Sequence, residues 1–315
     1  MNRVNVEISP AQWCEIPAII DLLSAAMPVD GITSARFTRQ VLLDPSHDAD
    51  GFLVAKSGNT IAGVCVAAAR NPPLDENDAQ RGFITLLAVD ARFRRQGIGT
   101  KLIAAAEARL AARGRSVVLV SPYGPGYFTP GIDIAAYPAA VNLFGKLGYE
   151  QASRPISMQT DLWQLKEPEF VEQTRRKLAL AGVKIEPYRV ELTRPILDFA
   201  QSEFGLDWFT TYHQTMQSIL RGDDAGRIVA AHQDGKVLGI SHHDGERFGP
   251  IGVAASARGR GLGHLLMFAT LGNQKRAGLR CAWFLWSDDR TAARLYHAGG
   301  FKEIRRFVVM RKGHA

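Results

Sequence analysis

RRQGIG (Arg94–Gly99) and RGRGLG (Arg258–Gly263) are two copies of one short pattern, and reading them together decides the fold. Each follows an apolar run ending in Val, and each opens a segment with helical periodicity. Arg94 aligns with Arg258, Gly97 with Gly261 and Gly99 with Gly263 at one offset of 164 residues, which the helix-ending Gly114 and Gly278 keep. After 12 extra residues in the first copy, LFGKLGY (Leu143–Tyr149) matches LYHAGGF (Leu295–Phe301). So long a period, with strand and helix signals in the same order in both halves, means a duplicated domain rather than a solenoid.

The pattern carries its own chemistry. A Gly-rich turn between strand and helix lets the backbone approach a ligand and aims N–H groups and the positive end of the helix dipole at an anion. The turn lacks the Lys-Ser/Thr ending of a Walker loop and is too compact for the dinucleotide fingerprint, so a pyrophosphate held by main chain is expected. Arginine at the first position adds charge-assisted hydrogen bonds.

LLAVDARFRRQGIGTKLIAAAEARL (86–110) and IGVAASARGRGLGHLLMFATLGNQ (251–274) resemble the acetyl-CoA segment of the GNAT superfamily of acyl-CoA N-acyltransferases, and DDRTAARLYHAGGFKEI (288–304) resembles its closing helix and strand. The resemblance implies an α/β (α+β) fold of two tandem GNAT-like domains, each a mixed, mostly antiparallel sheet flanked by helices. It also implies acetyl-CoA as cosubstrate and a primary amine as acceptor. The candidate cofactor-binding residues are Ile251, Val253, Arg258, Gly259, Arg260, Gly261, Leu262, Gly263 and His264, with Arg94, Gly97 and Gly99 as candidates for a second CoA site.

Length and composition agree with this. A chain of 315 residues is long enough for two domains, each with its own core. Cys14, Cys65 and Cys281 are far apart with no CxxC or metal-like spacing, so a reduced, cytoplasmic protein without a metal is expected. No apolar run approaches the roughly 20 residues of a membrane span, and MNRVNVEISPAQWCEIP has no signal-peptide core. The net charge of +7 suits an anionic cosubstrate, while the scattered arginines give no support to nucleic-acid binding. Oligomeric state is not legible.

Periodicity places a first domain over 1–162, a helical connector over 163–182 and a second domain over 183–315. VNVEI, the two halves of GFLVAKSGNTIAGVCVAAAR, FITLLAVD and VVLVS read as strands, and EIPAIIDLLSAAM as an amphipathic helix. The second domain repeats the order with VKIEPYR, the RIVAAHQDGKVLGISHH hairpin, GPIGV and CAWFLW.

The copies differ where chemistry would occur. When an amine attacks an acetyl carbonyl, the departing thiolate needs a proton and the oxyanion needs a donor. Tyr296 occupies the start of the last helix of the second domain, and its unperturbed pKa of about 10 is near that of a thiol. The equivalent residue of the first domain is Phe144, which has no proton to give. The second domain is therefore assigned the chemistry and the first is expected to be degenerate, a packed aromatic being the bland reading of Tyr296. The Val253 N–H is the candidate oxyanion donor. Asp288, directly after CAWFLWS, is the candidate base, and Asp289 the candidate helix cap, with the two roles open to reversal. His242 and His243 end a strand and are weaker candidates for the base, as is His213.

The acceptor is less explicit. Trp283, Phe284 and Trp286 sit on the strand before Asp288, where an aromatic at the strand's end could meet a sugar ring. The segment Ser121–Pro138 holds the first copy's excess and reads either as a lid or as a packed Ω-loop. YFTPGIDIAAYPAAVNLFGKLGY (127–149), FGPIGV (248–253) and WSDD (286–289) are similar to two-domain bacterial glucosaminide N-acetyltransferases, which implies an amino-sugar acceptor. Mycothiol-synthase-like enzymes share the tandem plan. The alternatives are a non-catalytic acyl-CoA-binding regulator and an acetyltransferase of protein lysines or N-termini.

Overall fold

The computed structural model describes residues 5–124, 127–288 and 291–313. Asp289, the candidate cap, lies outside them. The chain forms two compact units, one of Met1–Pro155 with Arg306–Ala315 and the other of Ile156–Arg305.

In the first unit the order is β1 (Glu7–Pro10), α1 (Ile16–Ala26), α2 (Ser34–Phe37), β2 (Phe52–Ser57), β3 (Thr60–Ala68), α3 (Glu76–Ala79) and β4 (Arg81–Val89). There follow α4 (Ile98–Ala112), β5 (Val117–Val120), β6 (Ile132–Asp133), α5 (Pro138–Lys146) and β7 (Glu150–Ser153). Strands β1 to β4 pair antiparallel in sequence, and β4 pairs parallel with β5. The alternation of side chains across a strand builds two cores: Phe52, Val54, Val64 and Val66 face α1, while Leu53, Ala55, Cys65 and Ala67 pack with Leu102 and Ala106 of α4. Strands buried on both faces read as continuous apolar runs, as β3 does.

The second unit holds β8 (Ile156–Asp161), α6 (Glu169–Leu180), β9 (Lys184–Pro187), α7 (Thr193–Phe204), α8 (Leu206–Leu220), β10 (Ile228–Gln233), β11 (Lys236–Asp244) and β12 (Arg247–Val253). It continues with α9 (Leu262–Arg276), β13 (Cys281–Ser287) and α10 (Thr291–Ala298), and the chain ends in β14 (Lys302–Gly313). Strands β9 to β12 pair antiparallel, β12 meets β13 in parallel, and β8 closes antiparallel on β13.

Chain order and unit membership differ at two strands. Residues 156–161 pair with β13 of the second unit, and residues 307–313 of β14 pair with β5, β6 and β7 of the first. A division at 162 and 183 follows chain order and does not contain this exchange. The stretch read as a connector is α6, whose Val171 and Leu178 are buried in the second unit's core.

Segment 127–133 is not a loose loop. Residues 128–133 are buried, and Phe128 joins the α1-side core beside Leu86 and Ala88 of β4. Arg36 donates to the Phe128 carbonyl at 2.7 Å, Gln40 to the Tyr127 carbonyl at 3.2 Å, and the Tyr137 hydroxyl to the Asp30 carboxylate at 2.6 Å. Of the two readings of Ser121–Pro138, these bonds match the packed one.

Candidate active site

Both RxxGxG segments adopt the same backbone. Gly97 (φ 82°, ψ 2°) and Gly261 (φ 86°, ψ 2°) are the left-handed N-caps of α4 and α9. Arg95 (φ 64°) and Gly259 (φ 75°), two residues earlier, are left-handed as well. This conformation is natural for glycine and strained for other residues, so Gly97 and Gly261 are required by the turn itself. Gly99 serves packing instead, since a Cβ there would sit 3.1 Å from Leu143 of α5, whereas one on Gly263 would make an ordinary contact with Leu295 of α10 at 3.6 Å. Neither helix has a side-chain cap, so the first N–H groups, including those of Leu262 and Gly263, are free to face an anion. Arg258, Gly259 and Arg260 are exposed beside them, and Gly261 and His264 are half-buried.

The strand before each loop ends beside a gap. β12 and β13 are in register at Arg247 and Trp283 alone, and β4 and β5 from Arg81 to Ile84, so Ile251, Val253 and Val89 lie past the pairing with the parallel neighbour. The Ala254 N–H donates to Leu238 of β11 at 2.9 Å, and by the alternation of an antiparallel ladder both polar groups of Val253 point the other way, into the gap. Arg258 Nε donates to the Val253 carbonyl at 3.2 Å, which leaves the Val253 N–H as the donor facing the gap. Ile251, two residues earlier, has the same orientation. The first unit repeats this geometry, with Asp90 N–H to Ala62 at 3.0 Å and Arg94 Nε to the Val89 carbonyl at 3.1 Å.

At the last helix the units part, and Tyr296 lies in the final turn of α10 rather than at its start, as Phe144 does in α5. Tyr296 packs against Phe284 (centroids 4.4 Å apart), Phe301 (5.7 Å) and Phe248 (6.2 Å). Burial among these rings pushes its hydroxyl up to about 12, and the negative charge of Asp288 adds to the rise, so it holds its proton more tightly than the near-thiol value expected from the sequence. The two candidate catalytic residues are thus within electrostatic reach of each other. Asp288 itself is exposed at the end of β13, next to the exposed Trp286. Phe144 occupies the matching place in the first unit, fully buried and edge-on to Tyr149 at 4.9 Å, as Tyr296 is to Phe301.

The strand histidines have interior partners. His242 Nδ1 lies 3.0 Å from the Gly249 carbonyl and Nε2 2.8 Å from the Thr215 hydroxyl, and burial pushes its pKa down to about 4. His243 is also buried, with Nδ1 at 3.1 Å from the Gly245 carbonyl, and burial lowers its pKa. His213 stacks on Phe209 along α8. None of these contacts involves Asp288 or Tyr296. Among the described residues no His/Cys/Asp/Glu group could hold a metal, and no helix is long and apolar enough to cross a membrane.

One feature had no sequence signal. Phe204 and Trp208 stack with centroids 4.0 Å apart at the α7–α8 junction and press on Gly252, where a Cβ would lie 2.3 Å from the Phe204 ring. They cover β12 between Ile251 and Val253.

The family model of the GNAT acetyltransferases matches residues 16–122, and that of the GNAT acetyltransferase domain matches residues 224–303. No curated protein matches the chain. Among solved structures, a GCN5-related glucosamine N-acetyltransferase region of a fungal multi-domain GH3 beta-N-acetylglucosaminidase superposes with a TM-score of 0.81 at 16% identity, covering 99% of this chain and 38% of that one. This chain therefore spans well under half of that protein. A GCN5-related N-acetyltransferase from Sphaerobacter thermophilus follows at 0.72 and 20% identity, covering 98% and 95%. A tandem GNAT protein from the clavulanic acid biosynthesis pathway follows at 0.65 and 18%, covering 98% of each chain. At these identities the likenesses establish a shared fold, while the two family matches cover most of both repeats: the chain belongs to the GNAT acetyltransferase family and carries two of its domains in tandem.

Proposed function

We propose that the chain transfers an acetyl group from acetyl-CoA to the primary amine of a small molecule, with the chemistry in the second unit. The observation that carries this is that Asp288 lies within electrostatic reach of Tyr296, where the first unit has only Phe144, in a unit that also keeps the glycine loop and the open Val253 N–H. Arg258, Gly259, Gly261 and Gly263 with the start of α9 form the cradle for the CoA pyrophosphate. The Val253 N–H polarises the acetyl carbonyl and stabilises the oxyanion. Asp288 takes a proton from the incoming ammonium, directly or through water, so that the nitrogen lone pair can form the new C–N bond. As the C–S bond breaks, Tyr296 gives its proton to the sulfur, and the second proton that the nitrogen sheds on becoming an amide passes to water, from which Tyr296 is reprotonated.

The acceptor we favour is an amino sugar such as glucosamine or a cell-wall fragment. The half-exposed Trp286 offers a flat apolar face next to the Asp288 carboxylate, the combination that holds a sugar ring and its amine. The glucosamine N-acetyltransferase region named above points to the same chemistry in a protein of like fold. The first unit keeps the glycine loop and the Val89 geometry without an acid, and we read it as a second CoA site without transfer.

Thiol release from acetyl-CoA across glucosamine, glucosamine oligomers, amino acids and lysine peptides tests the reading. Turnover selective for amino sugars supports it. Turnover with peptides alone would reject the acceptor, and CoA binding without turnover on any amine would favour a regulator.

A further inference from the structure

Helix α9 is apolar almost all round, burying Leu262, Leu265, Leu266, Met267, Phe268 and Leu271, whereas α4 buries a single stripe. A helix apolar on every side needs cover on every side, and α6 supplies part of it. Val171 and Leu178 anchor α6 in the core, and this fixes which residues flank the start of α9. Phe170 meets His264 edge-on, with centroids 5.1 Å apart and planes at 88°. One turn on, the Thr174 side chain lies against Gly261, where a Cβ would be 2.7 Å from its methyl carbon. Among the described residues nothing approaches Gly97 within 4 Å in this way. The second unit's glycine loop thus has a side wall that the first unit's lacks.

That wall has a chemistry. Phe170 is 44% exposed although it touches the anion-binding turn, so one part of its ring is fixed by His264 and another is open to solvent. Its acidic neighbours are engaged: Glu172 and Glu167 pair with Arg175, and Glu169 accepts from Gln173. Arg258 and Arg260 supply positive charge on the loop side. The part of CoA that extends beyond its pyrophosphate carries one flat aromatic group, the adenine, and a base stacks on an exposed aromatic ring whatever its hydrogen-bonding edge.

We propose that α6 is part of the cosubstrate site of the second unit, with Phe170 as the stacking platform for the adenine of CoA and Thr174 holding the glycine turn in place. This rests on the assignment of CoA to the second unit. The test is calorimetric titration of the full chain, in a Gly97→Asp background that silences the first loop, with CoA and with 4′-phosphopantetheine, which lacks the 3′-phospho-AMP half and so keeps one phosphate of the pyrophosphate and no adenine. Phe170→Ala is expected to weaken CoA about tenfold and leave phosphopantetheine unchanged, with Phe170→Trp restoring CoA affinity. Equal affinity for CoA before and after Phe170→Ala, a tighter complex, or an equal loss for both ligands would overturn the proposal. Gly261→Asp separates the two assignments: if it leaves CoA affinity intact, the second unit is not the CoA site, whereas if it abolishes binding while Phe170→Ala changes nothing, only the role of α6 fails.

Discussion

Arg258 donates from Nε to the carbonyl oxygen of Val253 across 3.2 Å, closing the glycine loop back onto the strand that precedes it. The bond satisfies one of the two ladder groups that Val253 turns toward the gap and leaves the other, its N–H, available to a substrate oxygen. On the proposed reading the guanidinium has two tasks, holding the loop and adding positive charge near the CoA pyrophosphate. Lysine has no Nε–H in that position and carries its charge as a flexible point. Arg258→Lys is expected to raise the dissociation constant of acetyl-CoA about tenfold, and Arg258→Ala by more, with melting temperature changed little because the side chain is exposed. Wild-type affinity in Arg258→Lys, measured by titration with the first loop silenced, would show that the charge alone matters.

On the proposed reading Tyr296 bears on the rate and not on binding. Tyr296→Phe keeps the ring packed against Phe284 and removes only the proton, so kcat should fall by about 10² to 10³ while CoA affinity is unchanged. The direction of the pKa shift adds a second readout. A hydroxyl raised to about 12 is protonated throughout the accessible range, so the alkaline limb of kcat should not report a tyrosine ionising near pH 10. An alkaline limb near pH 10 that vanishes in Tyr296→Phe would show that the rings and Asp288 do not hold the proton on as this geometry requires.

His242 makes stability depend on acid. Its ordinary pKa is about 6.5, and burial lowers it to about 4 in the folded chain. The unfolded chain therefore binds the proton first as pH falls, so the neutral ring's contribution is fully present above about pH 6.5 and is lost as pH drops toward 4. The size of this loss is about 3 kcal/mol. Denaturant unfolding of wild type and His242→Gln between pH 7 and 4 should show a shallower pH slope for the variant. Parallel slopes would mean that His242 is not the titrating group.

What the sequence disclosed and what it hid have physical reasons. The glycine turns were legible because φ near +80° at a helix start admits few residues besides glycine, and the Tyr296/Phe144 difference because one atom changes the chemistry. The strands β2, β3, β10 and β11 were legible from their apolar runs and the turns between them. Phe204 and Trp208 gave no signal, since aromatics at helical spacing look like any core stripe, and only their contact with Gly252 singles them out. Val171 and Leu178 likewise read as the apolar face of a linker, because a sequence does not say which surface an amphipathic helix will cover. The partners of β8 and β14 were hidden for a related reason: an apolar strand is compatible with any open sheet position, and pairing is decided by tertiary context.

The last ten residues show what that pairing contributes. Phe307, Val308, Val309 and Met310 are each 3% exposed or less, and Val308 and Met310 pack into the α4-side core of the first unit. Truncating one large buried aliphatic side chain costs about 2–5 kcal/mol, and a domain's whole stability is about 5–15 kcal/mol. Deleting Arg306–Ala315 removes three buried aliphatic side chains and the buried ring of Phe307 along with the strand that pairs with β5, so the first unit should not stay folded without them. Limited proteolysis followed by mass spectrometry should then find cuts throughout Glu7–Ser153, and Met310→Ala should lower the melting temperature in the same region without abolishing the fold. If the deleted chain keeps Glu7–Ser153 as protected as in wild type, the first unit is complete without β14, and the exchange of strands contributes nothing to its stability.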